Sequence, residues 1–456
     1  MNLEKVLIEH IGRVGYEDIP EDALANCRLL IMDSLGVTIP GSHAPGCREV
    51  VELTRAWGGG GASVLIYGHR MTPPLAALAN SSMMHALDFD DTLDVSALHT
   101  FVSVLPAALA AAEAVGGVDG KRFLSALVLG VDVICRLSLG IRRPLSWIRT
   151  ATCGSFGAAA AAGKILGLDE GQIADALGVV YSQTSGNAQG LIEGRLVKRM
   201  QPGFAAQAGV LSAFLARAGI TGSREFLQGR YGFYNLYEGG EFDPEPVVRD
   251  LGEHYTILDL SIKPYPSCRM THASIDAALQ LRGEIGDDFA GIDRVEVSAS
   301  KMVTEMVGKP LVIGTNPQVD AQFSIPYTVA AALLRGDVFL NDFNVAAIDD
   351  PKVRKLARRV EVREDGALQA KDLLHAGMRI VMESGEVLET RVDAPLGNPG
   401  NPMSTDRCRE KFRKCIACSD VVREESQWDE LLDMIEHLDE VDNVCRLIAL
   451  MRPGRE

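Results

Sequence analysis

The segment Ser261-Ile-Lys-Pro-Tyr-Pro-Ser-Cys-Arg-Met-Thr-His272 marks the point where the chain changes character. Before it, apolar residues recur at helical spacing, and runs rich in alanine stand at 106–115, 156–166 and 204–218. After it, short stretches alternate between apolar and polar residues, as half-buried strands do. The two prolines of the segment fix the local backbone dihedrals, so we expect a stiff turn here.

The region before this turn has the signals of a helical bundle. Residues 22–36 place apolar side chains at helical spacing and close on glycine, which predicts a helix that ends at Gly36. Residues 72–87 begin with threonine and two prolines, as a helix start does. The alanine-rich runs predict helices that pack closely against one another.

The region after the turn combines strand and helix patterns. Residues 324–334 look helical, and Glu-Ser-Gly-Glu at 383–386 is typical of a hairpin turn. From Ser404 the chain is charged and helical again, with one helix predicted at residues 427–452. The predicted strands are residues 292–298, 360–363 and 378–382.

These patterns predict a mostly α protein of two domains. With 456 residues the chain exceeds the usual size of a single hydrophobic core. We predict a large helical bundle domain formed by the N-terminal and C-terminal segments, residues 1–263 and 396–456. A smaller α+β domain, residues 264–395, is inserted between those segments.

Composition and charge narrow the functional classes. The net charge of −16 argues against nucleic acid or an anionic membrane as a partner. It also requires any anion-binding site to gather basic groups locally. Nine cysteines without regular spacing, and a start too charged for a signal peptide, predict a cytoplasmic protein. No stretch reaches the roughly 18 uncharged apolar residues that a membrane helix needs.

The densest chemical motif is His85-Ala-Leu-Asp-Phe-Asp-Asp-Thr92, followed by His99. A phosphatase would use Asp88 as the nucleophile, but it needs a strand before the aspartate, and the preceding residues favour a helix. A Mg²⁺ site on one helix face would use Asp88, Asp91 and Thr92, but no second acidic cluster completes it. A solvated acidic loop after a helix is the third interpretation. The motif alone leaves these alternatives open.

Basic groups stand in two places. Lys263, Arg269 and His272 lie in the turn that the two prolines stiffen. Lys198 and Arg199 lie just before Pro202-Gly203. Each group alone is typical of a solvated basic turn. Together, in an acidic chain, they favour an anion-binding pocket.

Two other motifs resemble a phosphate-binding loop and a zinc site, and both interpretations are rejected. Residues 157–164 resemble a phosphate-binding loop, but the spacing is one residue too long and Ile165 replaces the required Ser or Thr. Cys415 and Cys418 have zinc-like spacing, but they lack a second pair and lie in a predicted helix. We predict no metal site.

These motifs, taken in order along the chain, resemble the MmgE/PrpD family, which includes dehydratases, a decarboxylase and an epimerase of small polycarboxylates. The resemblance rests on His85–Thr92, on Lys198-Arg199 before Pro-Gly, and on the turn from Lys263 to His272. Residues 154–160, 322–327 and 401–404 also resemble family stretches in the expected order. The resemblance implies a helical domain, a smaller lid domain with a cleft between the two, a homodimer, and no obligatory organic cofactor.

The resemblance also implies site residues. Removal of a proton from a carbon next to a carboxylate creates negative charge that nearby cations stabilise. A carboxylate or a histidine would move the proton, and the basic groups would bind substrate carboxylates, arginine in bidentate fashion. We expect catalytic roles for Asp88, Thr92, His99, Lys198, Lys263 and His272. We expect substrate binding by Arg199, Arg269, Arg149 and Ser267.

One departure concerns Ile148, which stands where many family members carry a second histidine. The neighbouring Arg149 can supply charge but cannot donate a proton at neutral pH. The resemblance therefore implies a cytoplasmic lyase, chiefly a dehydratase, that acts on an unusual small di- or tricarboxylate. The alternatives are an epimerase or isomerase of a small dicarboxylate, and a family member that binds a carboxylate without catalysis.

Overall fold

The structure of the protein is a computed structural model that describes residues 2–286, 289–370 and 372–453. The chain divides into two compact units. The first unit comprises Met1–Leu260 and Thr405–Glu456, and the second comprises Ser261–Ser404. The chain therefore leaves the first unit once and returns to it at Thr405.

The first segment of the first unit is helical apart from the two-residue strands β1 (Ala62–Ser63) and β2 (Arg70–Met71), which pair antiparallel. Short 3-10 helices lie at Tyr16–Asp18, Asp94–Ser96 and Thr256–Asp259. The α-helices are α1 (Leu3–Arg13), α2 (Glu21–Gly41), α3 (Cys47–Ala56), α4 (Pro73–Met84), α5 (Phe101–Ala114), α6 (Gly120–Leu139), α7 (Arg149–Leu166), α8 (Glu170–Tyr181), α9 (Gln189–Ile192), α10 (Val197–Arg217), α11 (Phe233–Leu236) and α12 (Glu245–Val248).

The second unit packs helices against one sheet. Its 3-10 helices lie at Arg269–Thr271, Phe289–Gly291 and Leu340–Phe343. Its α-helices are α13 (His272–Ile285), α14 (Lys301–Val307), α15 (Pro317–Gln322), α16 (Ile325–Arg335), α17 (Val345–Ile348) and α18 (Pro351–Ala357). Its strands are β3 (Ile292–Ala299), β4 (Val360–Glu364), β5 (Ala376–Met382) and β6 (Val387–Val392).

The sheet has the strand order β4-β3-β5-β6. β3 pairs parallel with β4 and antiparallel with β5, and β5 forms a hairpin with β6. Val295, Val297 and Ile380 point into a core that α13 and α16 cover. The sequence predictions of three strands, the hairpin turn and the helix at 324–334 are confirmed.

The chain then returns to the first unit through α19 (Thr405–Ala417), α20 (Glu425–Glu436), a 3-10 helix at Leu438–Glu440 and α21 (Cys445–Leu450). The prediction of one helix at residues 427–452 is wrong, because the helix ends at Glu436 and the chain turns before Cys445. The prediction that the helix of residues 22–36 stops at Gly36 is also wrong. α2 continues to Gly41, and a Cβ at Gly36 would lie 2.9 Å from the Phe412 ring, so this glycine admits α19.

Glycines bring α6, α7 and α10 into close contact at the centre of the first unit. A Cβ at Gly157 of α7 would lie 2.3 Å from the Ile134 side chain and 2.5 Å from the Gly130 carbonyl oxygen. A Cβ at Gly209 of α10 would lie 2.5 Å from Ala158. The glycine and alanine run at 157–164 therefore serves helix packing. This agrees with the rejection of the run as a phosphate-binding loop.

The hydrophobic helices belong to this packed interior. In the described part of the chain, no helix combines the length and the apolar character needed to cross a membrane.

The glycine contacts predict a contrast within one helix. Gly157→Ala forces a methyl group against α6 and should lower the free energy of unfolding by about 1–3 kcal/mol. Gly163→Ala, also in α7, meets its nearest atom at 3.5 Å, an ordinary contact, and should be neutral or stabilising by up to about 1 kcal/mol. Urea unfolding of both variants tests this. Equal destabilisation by the two substitutions would contradict it.

Candidate active site

The acidic motif forms a buried loop between α4 and α5. α4 ends at Met84, so the helical stretch before Asp88 is confirmed and the strand that a phosphatase needs is absent there. Asp88 itself has φ of 53°, the left-handed region, which costs a residue with a Cβ about 1–2 kcal/mol. Asp90 and Asp91 are fully buried. The interpretation as a solvated acidic loop is therefore wrong, because the carboxylates find partners inside the protein.

Asp90 binds two histidines through a single oxygen. Its Oδ2 lies 2.8 Å from Nδ1 of His85 and 2.9 Å from Nδ1 of His99. The two imidazole rings meet edge to face with centroids 4.8 Å apart. The second carboxylate oxygen of Asp90 is buried and has no hydrogen-bond partner among the described residues. Both histidines are thus held in place by one charged group.

These contacts fix the tautomer of His99. Its Nδ1 also lies 2.7 Å from the carbonyl oxygen of Asp91. Both neighbours are hydrogen-bond acceptors, so Nδ1 must carry the proton, and the neutral ring has its lone pair on Nε2. The side chain of His99 is 16% exposed, whereas that of His85 is only 3% exposed. His99 is therefore the member of the pair that can exchange a proton with a ligand.

Burial and the neighbouring charges determine which of Asp90 and His85 is charged. Burial lowers the pKa of His85 to about 4, against the opposing effect of Asp90, and the nearby Lys198 charge lowers it further. Burial would raise the pKa of Asp90, but the two histidines outweigh it and hold that pKa well below its usual value. At neutral pH the group contains an ionised Asp90 and a neutral His85.

Asp91 anchors the start of α5. Its carboxylate accepts hydrogen bonds from the backbone N and the hydroxyl of Thr100, at 2.9 and 2.7 Å, and from the backbone N of Phe101, at 3.1 Å. Burial raises the pKa of Asp91, and so does the charge of Asp90. A carboxylate in this position satisfies the free amides of a helix N-terminus. Asp91 thereby ties the loop to α5.

Asp88 forms an ion pair with Lys198, near the start of α10. The Lys198 Nζ lies 2.5 Å from the Asp88 Oδ1, and both side chains are partly exposed. The guanidinium of Arg199 donates instead to the carbonyl oxygen of Pro45, at 3.0 Å. The structure thus joins Lys198 to the acidic loop and directs Arg199 to the backbone after α2.

The start of α7 lies beside His99. The backbone N of His99 donates to the Thr150 hydroxyl at 3.1 Å, and Ile148 is the N-cap residue of the same helix. The guanidinium of Arg149 donates to the Arg143 carbonyl oxygen at 2.8 Å. Thr92 is buried in the acidic loop. Six of the ten predicted site residues therefore belong to the first unit.

The other four predicted residues, Lys263, Ser267, Arg269 and His272, are all buried in the second unit. The Arg269 guanidinium lies 3.2 Å from the Leu396 carbonyl oxygen and 3.2 Å from the Ser261 hydroxyl. The Ser267 hydroxyl contacts that of Thr271 at 2.8 Å.

His272 uses both ring nitrogens inside this turn. Its Nδ1 accepts from the Arg269 guanidinium at 3.1 Å, and its Nε2 donates to the Ser267 carbonyl oxygen at 3.3 Å. These contacts favour a role in holding the turn together. Catalytic participation of His272 stays a prediction.

The donor set of His85, Asp90 and His99 also matches one that could hold a metal ion, with ligand atoms within 4.8 Å of one another. Ligands placed tetrahedrally at about 2.0–2.1 Å from Zn²⁺ stand about 3.3 Å apart. The two contacts of 2.8 and 2.9 Å to Asp90 are shorter and match hydrogen bonds. The arrangement fits a proton-bearing network better than a metal cage.

Sequence reasoning missed several residues of this site. His85 stood inside the quoted motif but had no assigned role, and its hydrogen bond to Asp90 depends on the path of the loop. Asp33 and Lys411 form a buried ion pair behind the loop. A lone aspartate in the apolar stretch 29–35 was a usable signal for Asp33. Nothing in the sequence around Lys411 distinguishes it from the other charged residues of α19.

The lowered pKa of His85 predicts a pH-dependent stability. An unfolded histidine titrates near its usual value of about 6.5, so between there and pH 4 the unfolded chain binds more protons than the folded one. Stability is thus lost as the pH falls through this window. His85→Asn keeps an N–H donor for Asp90 but cannot titrate.

We expect the free energy of unfolding of the wild type to fall by about 2 kcal/mol more than that of His85→Asn between pH 7.5 and pH 5. Urea unfolding at the two pH values measures this difference, in which other titrating groups cancel. Parallel pH dependence of the two proteins would contradict a neutral buried His85.

Comparison with known proteins shows which family the sequence matches. The sequence model of the MmgE/PrpD N-terminal domain matches residues 5–245, and that of the MmgE/PrpD C-terminal domain matches residues 265–439. The chain is 29% identical to the cis-aconitate decarboxylase of Aspergillus terreus, over 96% of this chain and 94% of the relative. It is 30% identical to the cis-aconitate decarboxylase-like protein oryM of Aspergillus oryzae, over 99% and 97%.

A more distant relative is the 2-methylcitrate dehydratase of Cupriavidus necator, 24% identical over 91% of this chain and 90% of the relative. The similarity spans both structural units and includes the loop that joins Asp90 to its two histidines. The chain belongs to the MmgE/PrpD family.

Proposed function

We propose that the protein is a lyase that acts on a small tricarboxylate, with proton transfer at a carbon next to a carboxylate as the central step. The observation that carries the proposal is the fixed Nδ1–H tautomer of His99, which leaves Nε2 available on a partly exposed ring. Relatives similar over almost their whole length are named cis-aconitate decarboxylase and 2-methylcitrate dehydratase, and both are lyases of tricarboxylates.

His99 is the proposed proton carrier. In a dehydration its Nε2 takes a proton from the substrate carbon, and the hydroxyl group on the neighbouring carbon leaves as water with a proton returned by the imidazolium. In a decarboxylation the bond to the departing CO₂ breaks, and the imidazolium gives its Nε2 proton to the carbon that becomes electron-rich. The imidazolium formed on proton uptake is stabilised by Asp90, whose carboxylate already accepts the Nδ1–H. This role needs an ionised Asp90, in agreement with its lowered pKa.

Lys198 is the proposed cation for a substrate carboxylate. In the protein its charge is balanced by Asp88 at 2.5 Å. A substrate carboxylate that approaches Lys198 competes with Asp88 for the ammonium group, which leaves Asp88 able to accept a proton or a substrate hydroxyl hydrogen bond. The left-handed backbone of Asp88 fits such a role, because strained residues concentrate at active sites.

Lys263 is the proposed second cation, and Arg269 and Ser267 the proposed accessory groups of the second unit. The support for these roles is the family resemblance of the turn, together with the burial of an ammonium group in an acidic protein. Thr92 remains a proposed catalytic residue, and Arg149 and Arg199 remain proposed substrate contacts, on the same basis. A homodimer is likewise part of the proposal.

The direct test is an assay by ¹H NMR in D₂O with cis-aconitate, 2-methylcitrate and tricarboxylates that carry a longer alkyl arm. We expect product formation from at least one of them. A decarboxylation should place deuterium on the product carbon that receives the proton, whereas a dehydration removes the carbon-bound proton and should place deuterium only in substrate re-formed by reversal. Decarboxylation loses a carboxylate carbon as CO₂ and dehydration does not, so the products separate the two lyase reactions. If none of the acids gave a product and none exchanged deuterium, the proposal would be overturned.

Substitutions in the first unit should separate proton transfer from binding. His99→Gln keeps a hydrogen-bonding side chain but cannot carry the proton, so kcat should fall by about 10²- to 10⁴-fold. Lys198→Met should chiefly raise KM, because it removes a charge partner of the substrate. Arg224→Met, which removes a surface ion pair with Asp175, serves as the control and should change neither constant. An unchanged kcat in His99→Gln would contradict the assignment.

Ile148 predicts a difference from other family members. A histidine at this N-cap position would stand two residues before Thr150, which contacts His99. Without it, cis-aconitate and 2-methylcitrate should be poor substrates, and a substrate with an apolar arm should be preferred. Ile148→His should raise turnover of the two standard acids, whereas Leu145→His on the exposed part of the same loop should not. Rapid turnover of either acid by the unmodified protein would show that another residue fills the role.

A further inference from the structure

A buried ion pair lies directly behind the acidic loop. Lys411 of α19 and Asp33 of α2 face each other with Nζ and Oδ1 2.5 Å apart, and both side chains are almost completely buried. The same ammonium group donates to the backbone carbonyl oxygen of Phe89 at 2.9 Å. It also sits over the Phe89 ring, 3.7 Å from the centroid. Lys411 therefore makes three separate contacts, two of them with the loop.

Phe89 stands between the two carboxylates that matter most for the proposed chemistry. Asp88 precedes it and pairs with Lys198, and Asp90 follows it and holds both histidines. The hydrogen bond to the Phe89 carbonyl oxygen restrains the planar peptide unit between Phe89 and Asp90, and the contact with the ring restrains the Phe89 side chain. The constraint acts next to Asp88, whose left-handed backbone is a conformation that must be held by its surroundings.

We propose that Lys411 and Asp33 are positioning residues that hold the Asp88–Asp91 loop in its active geometry, an inference that rests on the proposed function of that loop. Lys411 fixes the Phe89 carbonyl and ring, and Asp33 fixes the ammonium group. Neither residue touches the substrate.

The energetics of buried charges support a role beyond stability. A buried ion pair is often no more stabilising than well-packed apolar residues of similar volume. An apolar side chain at position 411 would fill the space, but it could not donate to the Phe89 carbonyl oxygen, which would then be buried without this partner.

The electrostatic surroundings point the same way. Burial raises the pKa of Asp33 to about 6, against the lowering effect of Lys411, and the charges of Asp91 and Asp90 raise it further. The carboxylates of Asp90 and Asp91 in the loop thus act on Asp33 behind it, and Lys411 is the cation paired with Asp33. The second oxygen of Asp33 has no hydrogen-bond partner among the described residues, so its ammonium contact is the chief one it has.

The position of Lys411 in the chain has a consequence for assembly of the site. α19 follows the second unit, so the loop between α4 and α5 gains this support only after the chain has returned to the first unit. The C-terminal segment therefore completes the active site as well as the helical core.

The test compares Lys411→Met, Asp33→Asn and the double variant. Lys411→Met leaves the buried Asp33 without its counter-charge and should be unstable as well as slow. The double variant removes both charges and should recover much of the stability. Because it still lacks the donor to Phe89, we expect kcat to remain about 10- to 100-fold below wild type, with KM little changed. Asp33→Asn alone keeps an acceptor for Lys411 and should lose less.

Asp132→Asn is the matched control. Asp132 is fully buried and pairs with Arg136, with its other oxygen bonded to Thr256, so its loss should lower stability without lowering kcat. A double variant with wild-type kcat would overturn the inference, and so would an Asp132→Asn variant as slow as Lys411→Met.

A second readout is independent of activity. Hydrogen exchange at the amides of residues 88–92 should be faster in the double variant than in the wild type, and unchanged in Asp132→Asn. If the wild type converts no tricarboxylate, the proposed function fails while this exchange experiment still decides the positioning role. Equal exchange in the wild type and the double variant would overturn that role.

Discussion

The site depends on one oxygen atom, Oδ2 of Asp90, which receives the Nδ1–H of His85 and of His99. An ionised carboxylate inside a protein is costly unless hydrogen bonds compensate it, and two imidazole donors supply that compensation here. In return the carboxylate sets the tautomer of both rings. The choice of Nε2 as the basic nitrogen of His99 follows from this arrangement, whereas burial keeps His85 neutral against the opposing effect of Asp90.

Three nearly consecutive aspartates carry out different tasks because their surroundings differ. Asp88 is partly exposed and pairs with Lys198, where a ligand can compete for the charge. Asp90 is enclosed by the histidines, and Asp91 binds the free amides at the start of α5. Each aspartate is thus anchored to a different element, which explains why so many acids stand together in a loop with little access to water. Lys411 approaches the same loop from α19 and is held by Asp33 on α2.

Local patterns predicted the types of most elements, since strand alternation and helix starts are properties of a few neighbouring residues. Gly36 misled because its small size serves a contact with Phe412, nearly 400 positions away, and not a helix end. The family resemblance predicted site roles for His99, Lys198 and Asp88, and these roles stay predictions. It did not reveal that the loop is buried, that one oxygen serves two histidines, or that Lys411 supports it, because these depend on contacts between distant segments.

The most direct test of this account is ¹⁵N NMR of the histidine side chains of the wild-type protein as a function of pH. The account predicts that His85 and His99 are both Nδ1–H tautomers at neutral pH, and that His85 stays neutral until the pH approaches about 4. A neutral His99 with its proton on Nε2 would contradict the role of Asp90 as the group that organises the site, and titration of His85 near its usual pKa of about 6.5 would contradict a His85 held neutral by burial.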